Sequence, residues 1–191
     1  MLGEVRVGNF TFKTWTGAFC ESKIKQALGK DHKCDFLILG YNAFSGVDLS
    51  EEIAGFTSCI KRLRDFSLKT GGTIFCGIKT QILDIKHISV AVCGRGKVLD
   101  IVDRSSNQLG DTYGASNKLK MFGTKMGIVG LIVDSDCLSE NVWQKIAPNA
   151  GIILCINRGS SPQVQEEVRL FSATYNKPYI YVDDIGVEWH G

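Results

Sequence analysis

Four consecutive residues, Asp134-Ser135-Asp136-Cys137, bring two carboxylates, a hydroxyl and a thiol to the end of an apolar run, GIVGLIV (127–133). A helix is expected to start near Ser139, so the four sit at a strand-to-helix corner, where α/β proteins often hold a nucleophile or a ligand. A helix N-terminus lowers a thiol pKa and would activate Cys137. Asp134, Asp136 and Glu140 crowd it with negative charge, which raises the pKa. The simpler reading is a partly exposed thiol with no task. Asp134 and Asp136, with Asp183-Asp184 at another strand end, could supply the oxygen ligands that magnesium takes, although Asp and Ser are also ordinary loop and capping residues. Asn157-Arg158-Gly159-Ser160-Ser161-Pro162 precedes a second helix. Its N–H groups and Arg158 could hold an anion, which makes Asn157, Arg158 and Ser160 candidate substrate-binding residues; a capped helix start is the plainer alternative. His32, His87 and His190 are isolated in sequence.

The elements that must position these groups alternate between strand and helix. Val5–Phe12 reads as a first strand and Glu21–Lys30 as a helix through Ile24, Ala27 and Leu28. CDFLILG (34–40) is a continuous apolar run, the mark of a strand buried on both faces. Asp48–Ser50 offers caps for a helix to about Leu68, with Ile53, Phe56, Ile60 and Leu63 on one face. TIFCGIKT (73–80) is the next strand, and 87–104 is a hairpin turning at Gly94-Arg95-Gly96. A polar loop, Ser105 to about Thr124, leads to the strand 127–133. The helix Glu140–Ile146, the strand Gly151–Ile156, the helix Pro162–Tyr175 and the strand 178–184 complete the series. The antiparallel hairpin among buried strands calls for mixed sheets. With no repeat or linker, residues 1–191 form one domain.

The bulk properties narrow the function. A net charge of +2, with no dense basic run, argues against a nucleic-acid or membrane partner. Residues 61–64, KRLR, suit a solvated helix face. The N-terminus MLGEVRVGNF has charge and glycine where a signal peptide needs an apolar core. The seven cysteines are scattered and lack zinc spacing. A cytoplasmic protein without a cofactor is expected.

In its order of elements and its local patterns, across nearly the whole chain, the sequence resembles the carbon–nitrogen hydrolase (nitrilase) superfamily. KCDFLILGYNAFSGVD, HISVAVCGRGKVLDIVDR, MGIVGLIVDSDCLSENVWQKI, NAGIILCINRGSS and EVRLFSATYNKPYIYVDDIG carry the likeness. It implies an α-β-β-α sandwich, two six-stranded mixed sheets flanked by helices, paired into a homodimer. It also implies a Glu–Lys–Cys site for amides or nitriles, in which a thiolate attacks, a carboxylate moves the proton and an ammonium steadies the oxyanion.

The departures fall on that site. Gly40-Tyr41 stands where the family has Pro-Glu, Arg104 where it has the lysine, and Val133 where it has the cysteine, counting back from Ser139-Glu140. Tyrosine, with a pKa near 10, is a poor base, and arginine holds a planar fork instead of a point ammonium. At VDDIGVEWHG (182–191) the family continues with another strand pair, which the sheets here are expected to lack. The expectation is a degenerate family member that binds an unknown small molecule or protein. The alternatives are a hydrolase using Cys137 with Arg104 and Tyr41 nearby, and a divalent-cation site at Asp134 and Asp136.

Overall fold

The computed structural model describes residues 2–29, 33–44, 58–82, 84–106, 112–116 and 118–191. The chain opens with a hairpin where the sequence suggested one strand: β1 (Leu2–Val7) pairs antiparallel with β2 (Phe10–Trp15). Gly8-Asn9 makes the two-residue turn, with Gly8 at φ 58°, a conformation that costs glycine little. Helix α1 (Glu21–Leu28) buries Ile24 and Leu28. Strand β3 (Phe36–Leu39) is buried along its whole length, and a 3-10 turn, Tyr41–Phe44, follows it. Helix α2 is described over Ser58–Thr70; the expected start near Asp48, with Ile53 and Phe56, lies outside the described residues.

Strands β4 (Thr73–Ile82), β5 (Ile85–Gly94) and β6 (Lys97–Asp103) form an antiparallel meander. The segment read as a loop holds two strands. β7 (Tyr113–Gly114) pairs with β5, and β8 (Lys120–Thr124) makes a hairpin with β9 (Gly127–Val133). The next elements follow the sequence closely: α3 (Glu140–Ile146), β10 (Ile152–Ile156), α4 (Pro162–Tyr175) and β11 (Tyr179–Val182). The last strand, β12 (Val187–His190), was not foreseen from the sequence; it pairs antiparallel with β11 in a stretch where further strands were expected to be lacking.

Among the described residues the first sheet has seven strands, ordered β1-β2-β3-β4-β5-β6 with β7 on β5, and the second has five, ordered β12-β11-β10-β9-β8. The family likeness implied six and six. Alternation along each strand builds four layers. Phe36, Ile38 and Phe75 from the first sheet meet Val129, Leu131 and Leu154 from the second in the central core. Leu37, Leu39 and Ile74 face the other way, onto Ile24 of α1 and Leu63 and Phe66 of α2. Ile132, Ile153 and Tyr181 likewise face Trp143 of α3 and Val168 of α4. The result is an α-β-β-α sandwich. No helix among the described residues is long and apolar enough to cross a membrane.

β2, β3 and β4 run parallel, and the antiparallel meander returns β6 to that direction; β9, β10 and β11 are also parallel. An ion pair between the residues following β6 and β9 shows that the C-terminal ends of both sets meet at one end of the sandwich. Loops at such ends are where open α/β sheets present functional groups.

Candidate functional site

Val133 closes β9 with its side chain in the core between the sheets, 1% exposed. The chain turns at the next residue. Asp134 has φ 53° and begins a 3-10 turn that runs to Leu138. Left-handed backbone is uncommon outside glycine, and Asp tolerates it better than most side chains do. The residue at the elbow is therefore Asp134, one position past the valine that counting back from Ser139 selected.

Its carboxylate is taken on both oxygens. Oδ2 accepts from Arg104 Nη1 at 3.1 Å, and Oδ1 accepts from the Arg158 backbone N–H at 3.1 Å, with Arg158 Nε at 4.0 Å. Arg104 is 0% exposed and anchored on both sides: its N–H donates to Ile88 O at 2.8 Å, and its carbonyl accepts from Ser116 N at 2.9 Å. Asp136 is spent on the loop after β6. It accepts from Ser105 N at 2.6 Å, Ser106 N at 2.8 Å and Ser106 Oγ at 2.5 Å. Burial raises the Asp136 pKa, and these hydrogen bonds oppose the rise.

Tyr41 lies in the turn after β3. Its ring lies across the β4 backbone at Gly77, where a Cβ would come within 2.8 Å of it. Its hydroxyl is buried with no hydrogen-bond partner among the described residues. Burial, then the nearby Asp134 and Cys137, push its pKa well up, with Arg158 opposing. A phenol so placed donates and does not serve as a base at neutral pH.

Cys137 is buried instead of partly exposed. It belongs to the layer of Ile132, Trp143 and Ile146 on the helix side of the second sheet, whereas Tyr41 belongs to the central core. Burial, then the neighbouring Cys155, push its thiol well up, the opposite of what a nucleophile needs. Trp143 Nε1 donates to the Cys137 carbonyl at 3.0 Å, which pins the turn in this orientation. The polar neighbours in sequence misled because a 3-10 turn sends adjacent side chains to different sides.

The anion loop divides. Asn157 is buried and donates through Nδ2 to Tyr181 Oη at 2.9 Å and Gly159 O at 3.2 Å, so it holds the loop together. Arg158 alone reaches the site, its guanidinium 5.1 Å from the centre of the Tyr113 ring. Nothing in the sequence signalled Tyr113. Ser160 is exposed and lines a separate cleft with Asp183 and Glu188. The other carboxylates act as loop caps: Asp183 Oδ1 accepts from Ile185 N and Gly186 N, both at 2.8 Å, and Asp184 Oδ2 accepts from Gly159 N at 3.0 Å. No group of three or more His, Cys, Asp or Glu side chains among the described residues is placed to hold a metal ion. That leaves Asp134 and Asp136 bonded to arginine, serine and backbone donors rather than gathered as a cation site.

Known structures superpose on most of this fold. The chain has the carbon–nitrogen hydrolase fold. A carbon–nitrogen hydrolase from Helicobacter pylori G27 superposes with a TM-score of 0.70 at 16% identity, covering 93% of this chain and 74% of that one. Nit3 of Saccharomyces cerevisiae, a member of branch 10 of the nitrilase superfamily, gives 0.71 at 12% identity, covering 85% and 67%. A superfamily amidase from Nesterenkonia AN1 gives 0.68 at 11%, covering 94% and 78%. At these identities the similarity is one of fold. No family model and no curated protein matches the sequence.

Proposed function

We propose that this chain keeps the carbon–nitrogen hydrolase fold without carbon–nitrogen hydrolysis and serves as a cytoplasmic, homodimeric binding or interaction module. The observation that carries the reading is the state of Asp134. A carboxylate stands at the elbow, and both its oxygens are occupied by Arg104 and Arg158. The Nesterenkonia amidase has structures with butyramide bound and with adducts on an active-site cysteine. Here Cys137, three residues past the elbow, and Cys155 beside it are fully buried. Tyr41 replaces a carboxylate base with a neutral donor of raised pKa. A site with a locked carboxylate, a fixed guanidinium pair and a phenol can recognise a polar group, but it holds neither the nucleophile nor the base of thiol acyl transfer. The helices after residues 139 and 162 are the faces through which two copies would pair.

The test is ammonia release from a panel of amides, nitriles and N-carbamoyl compounds, with Cys137→Ala run alongside. We expect neither protein to release ammonia above the buffer rate. Release by the wild type that disappears in the Cys137→Ala variant would overturn the reading and restore a thiol mechanism.

A further inference from the structure

The end of the sandwich opposite Asp134 carries a cleft of about 430 Å³ between the two sheets. Phe10, Phe36 and Leu99 give it an apolar lining, and Arg95, Lys125 and Asp35 stand around it. Three local irregularities converge there. The pairing of β5 with β6 slips between Val92 and Cys93: Cys93 faces Val98 and Val92 faces Asp100. Leu99 is thus the extra residue of a bulge, a device that re-aims a side chain. It remains 52% exposed, beside the cleft and not in the core.

Arg95 occupies the first position of the two-residue β5–β6 turn at φ 50°, followed by Gly96 at φ 74°. Such turns favour Asn, Asp or Gly at that position, so local turn chemistry does not explain an arginine. Lys125 sits in the two-residue turn between β8 and β9. The Thr124 hydroxyl staples that turn, donating to Gly127 O at 2.8 Å and accepting from Met126 N at 3.2 Å. Two cations are therefore held on short turns from different sheets, facing one mouth. Neither forms an ion pair within the described residues. The acid beside them, Asp35, already accepts the Thr11 N–H at 2.9 Å through Oδ2 and would repel a second anionic group.

We propose that this cleft binds a small aromatic monocarboxylate, its ring against Leu99, Phe10 and Phe36 and its carboxylate between Arg95 and Lys125. A site of this size, apolar inside with a few convergent polar groups, has the usual make-up of a small-molecule pocket. The site is remote from Asp134 and does not depend on the reading given to it.

The experiment titrates the whole chain with 2-naphthoate and, in parallel, the neutral 2-naphthalenemethanol, following backbone amides by NMR. We expect naphthoate to shift the amides of both turns, Gly94–Lys97 and Gly123–Gly127, and to bind more tightly than the alcohol. Arg95→Gly and Lys125→Gln should each weaken naphthoate by about threefold or more, in the range of an exposed charge contact. Arg95→Gly suits the left-handed turn, so its melting temperature should not fall, and any loss of binding reads on the cation alone. Absence of shifts at millimolar naphthoate would overturn the proposal. So would shifts centred on the Arg104–Arg158 end, or equal binding of acid and alcohol in wild type and variants.

Discussion

Asp134 and Arg104 are 4% and 0% exposed, and each is where it is because the other neutralises it. Removing one partner of a buried ion pair strands the other charge, which costs more than the pair itself contributes. Asp134→Asn keeps the acceptor for the Arg158 N–H and tolerates left-handed backbone, so it isolates the charge. We expect it to lower unfolding free energy by about 3 kcal/mol in urea titration. Adding Arg104→Met should recover most of that loss. A cost under about 1 kcal/mol, the range of an exposed pair, would show that the two side chains reach water. Asp136 gives the opposite kind of test. Burial raises its folded-state pKa above the ordinary 3.8, so the folded protein holds that proton more tightly than the unfolded chain. The stability it contributes is complete below 3.8 and is lost as pH rises through the folded pKa. As pH rises above 3.8 and through the raised folded-state pKa, wild type should lose stability relative to Asp136→Asn. A difference between the two that grows in the other direction would show that the Ser105 and Ser106 hydrogen bonds outweigh burial.

At the scale of elements, the site's position follows from what the strands bury. Runs such as FLIL and IILCI have no polar face, which made β3 and β10 legible, and α3 and α4 span the residues that the sequence suggested. The first hairpin was missed although the apolar positions change phase across Gly8-Asn9, from Val5 and Val7 to Phe10 and Phe12, a break in the period of two that one strand would not show. At the corner the strand ends at Val133, as expected, and the left-handed turn comes one residue later, at Asp134. A period of two means that a slip of one exchanges core for site, and no pattern in VDSDCLSE marks where the backbone turns. The positive φ at Asp134 and the burial of Cys137 belong to a turn that Trp143 of α3 holds through the Cys137 carbonyl, a contact between residues that no local pattern links. Tyr41 depends on β4 in the same way. Its ring requires the absence of a side chain at Gly77, so Gly77→Ala should force the ring or the strand to move. We expect a loss of about 1–3 kcal/mol, the usual cost of overpacking, measured by thermal or urea unfolding. Gly77→Ala in a Tyr41→Ala background should cost much less, and equal costs in both backgrounds would remove the ring from the explanation.

For the whole molecule, the central core decides whether 191 residues behave as one unit, as the absence of a linker in the sequence suggests. Each sheet has its own helical layer, and in principle the halves could unfold separately. Against that, Phe36, Ile38 and Phe75 share one central core with Val129, Leu131 and Leu154 of the second sheet, and Asp134 and Asp136 tie the turn after β9 to Arg104, Ser105 and Ser106 of the other. Loss of either half exposes a full sheet face and strands a buried charge, so partial unfolding should be far more costly than its share of the contacts. The tryptophans allow a direct measurement. Trp15 packs in the outer layer of the first sheet, and Trp143 packs in that of the second, against Phe171 and Tyr175. With Trp189→Phe in both, one variant keeps only Trp15 and another keeps only Trp143, and each is calibrated by circular dichroism. Within each variant the fluorescence and circular-dichroism midpoints in urea should coincide, because both probes report the same all-or-none loss of the central core. A Trp15 signal that changes at lower urea than the circular dichroism of its own variant would mean that the first sheet opens alone, and the central core would then be too weak to make one cooperative domain.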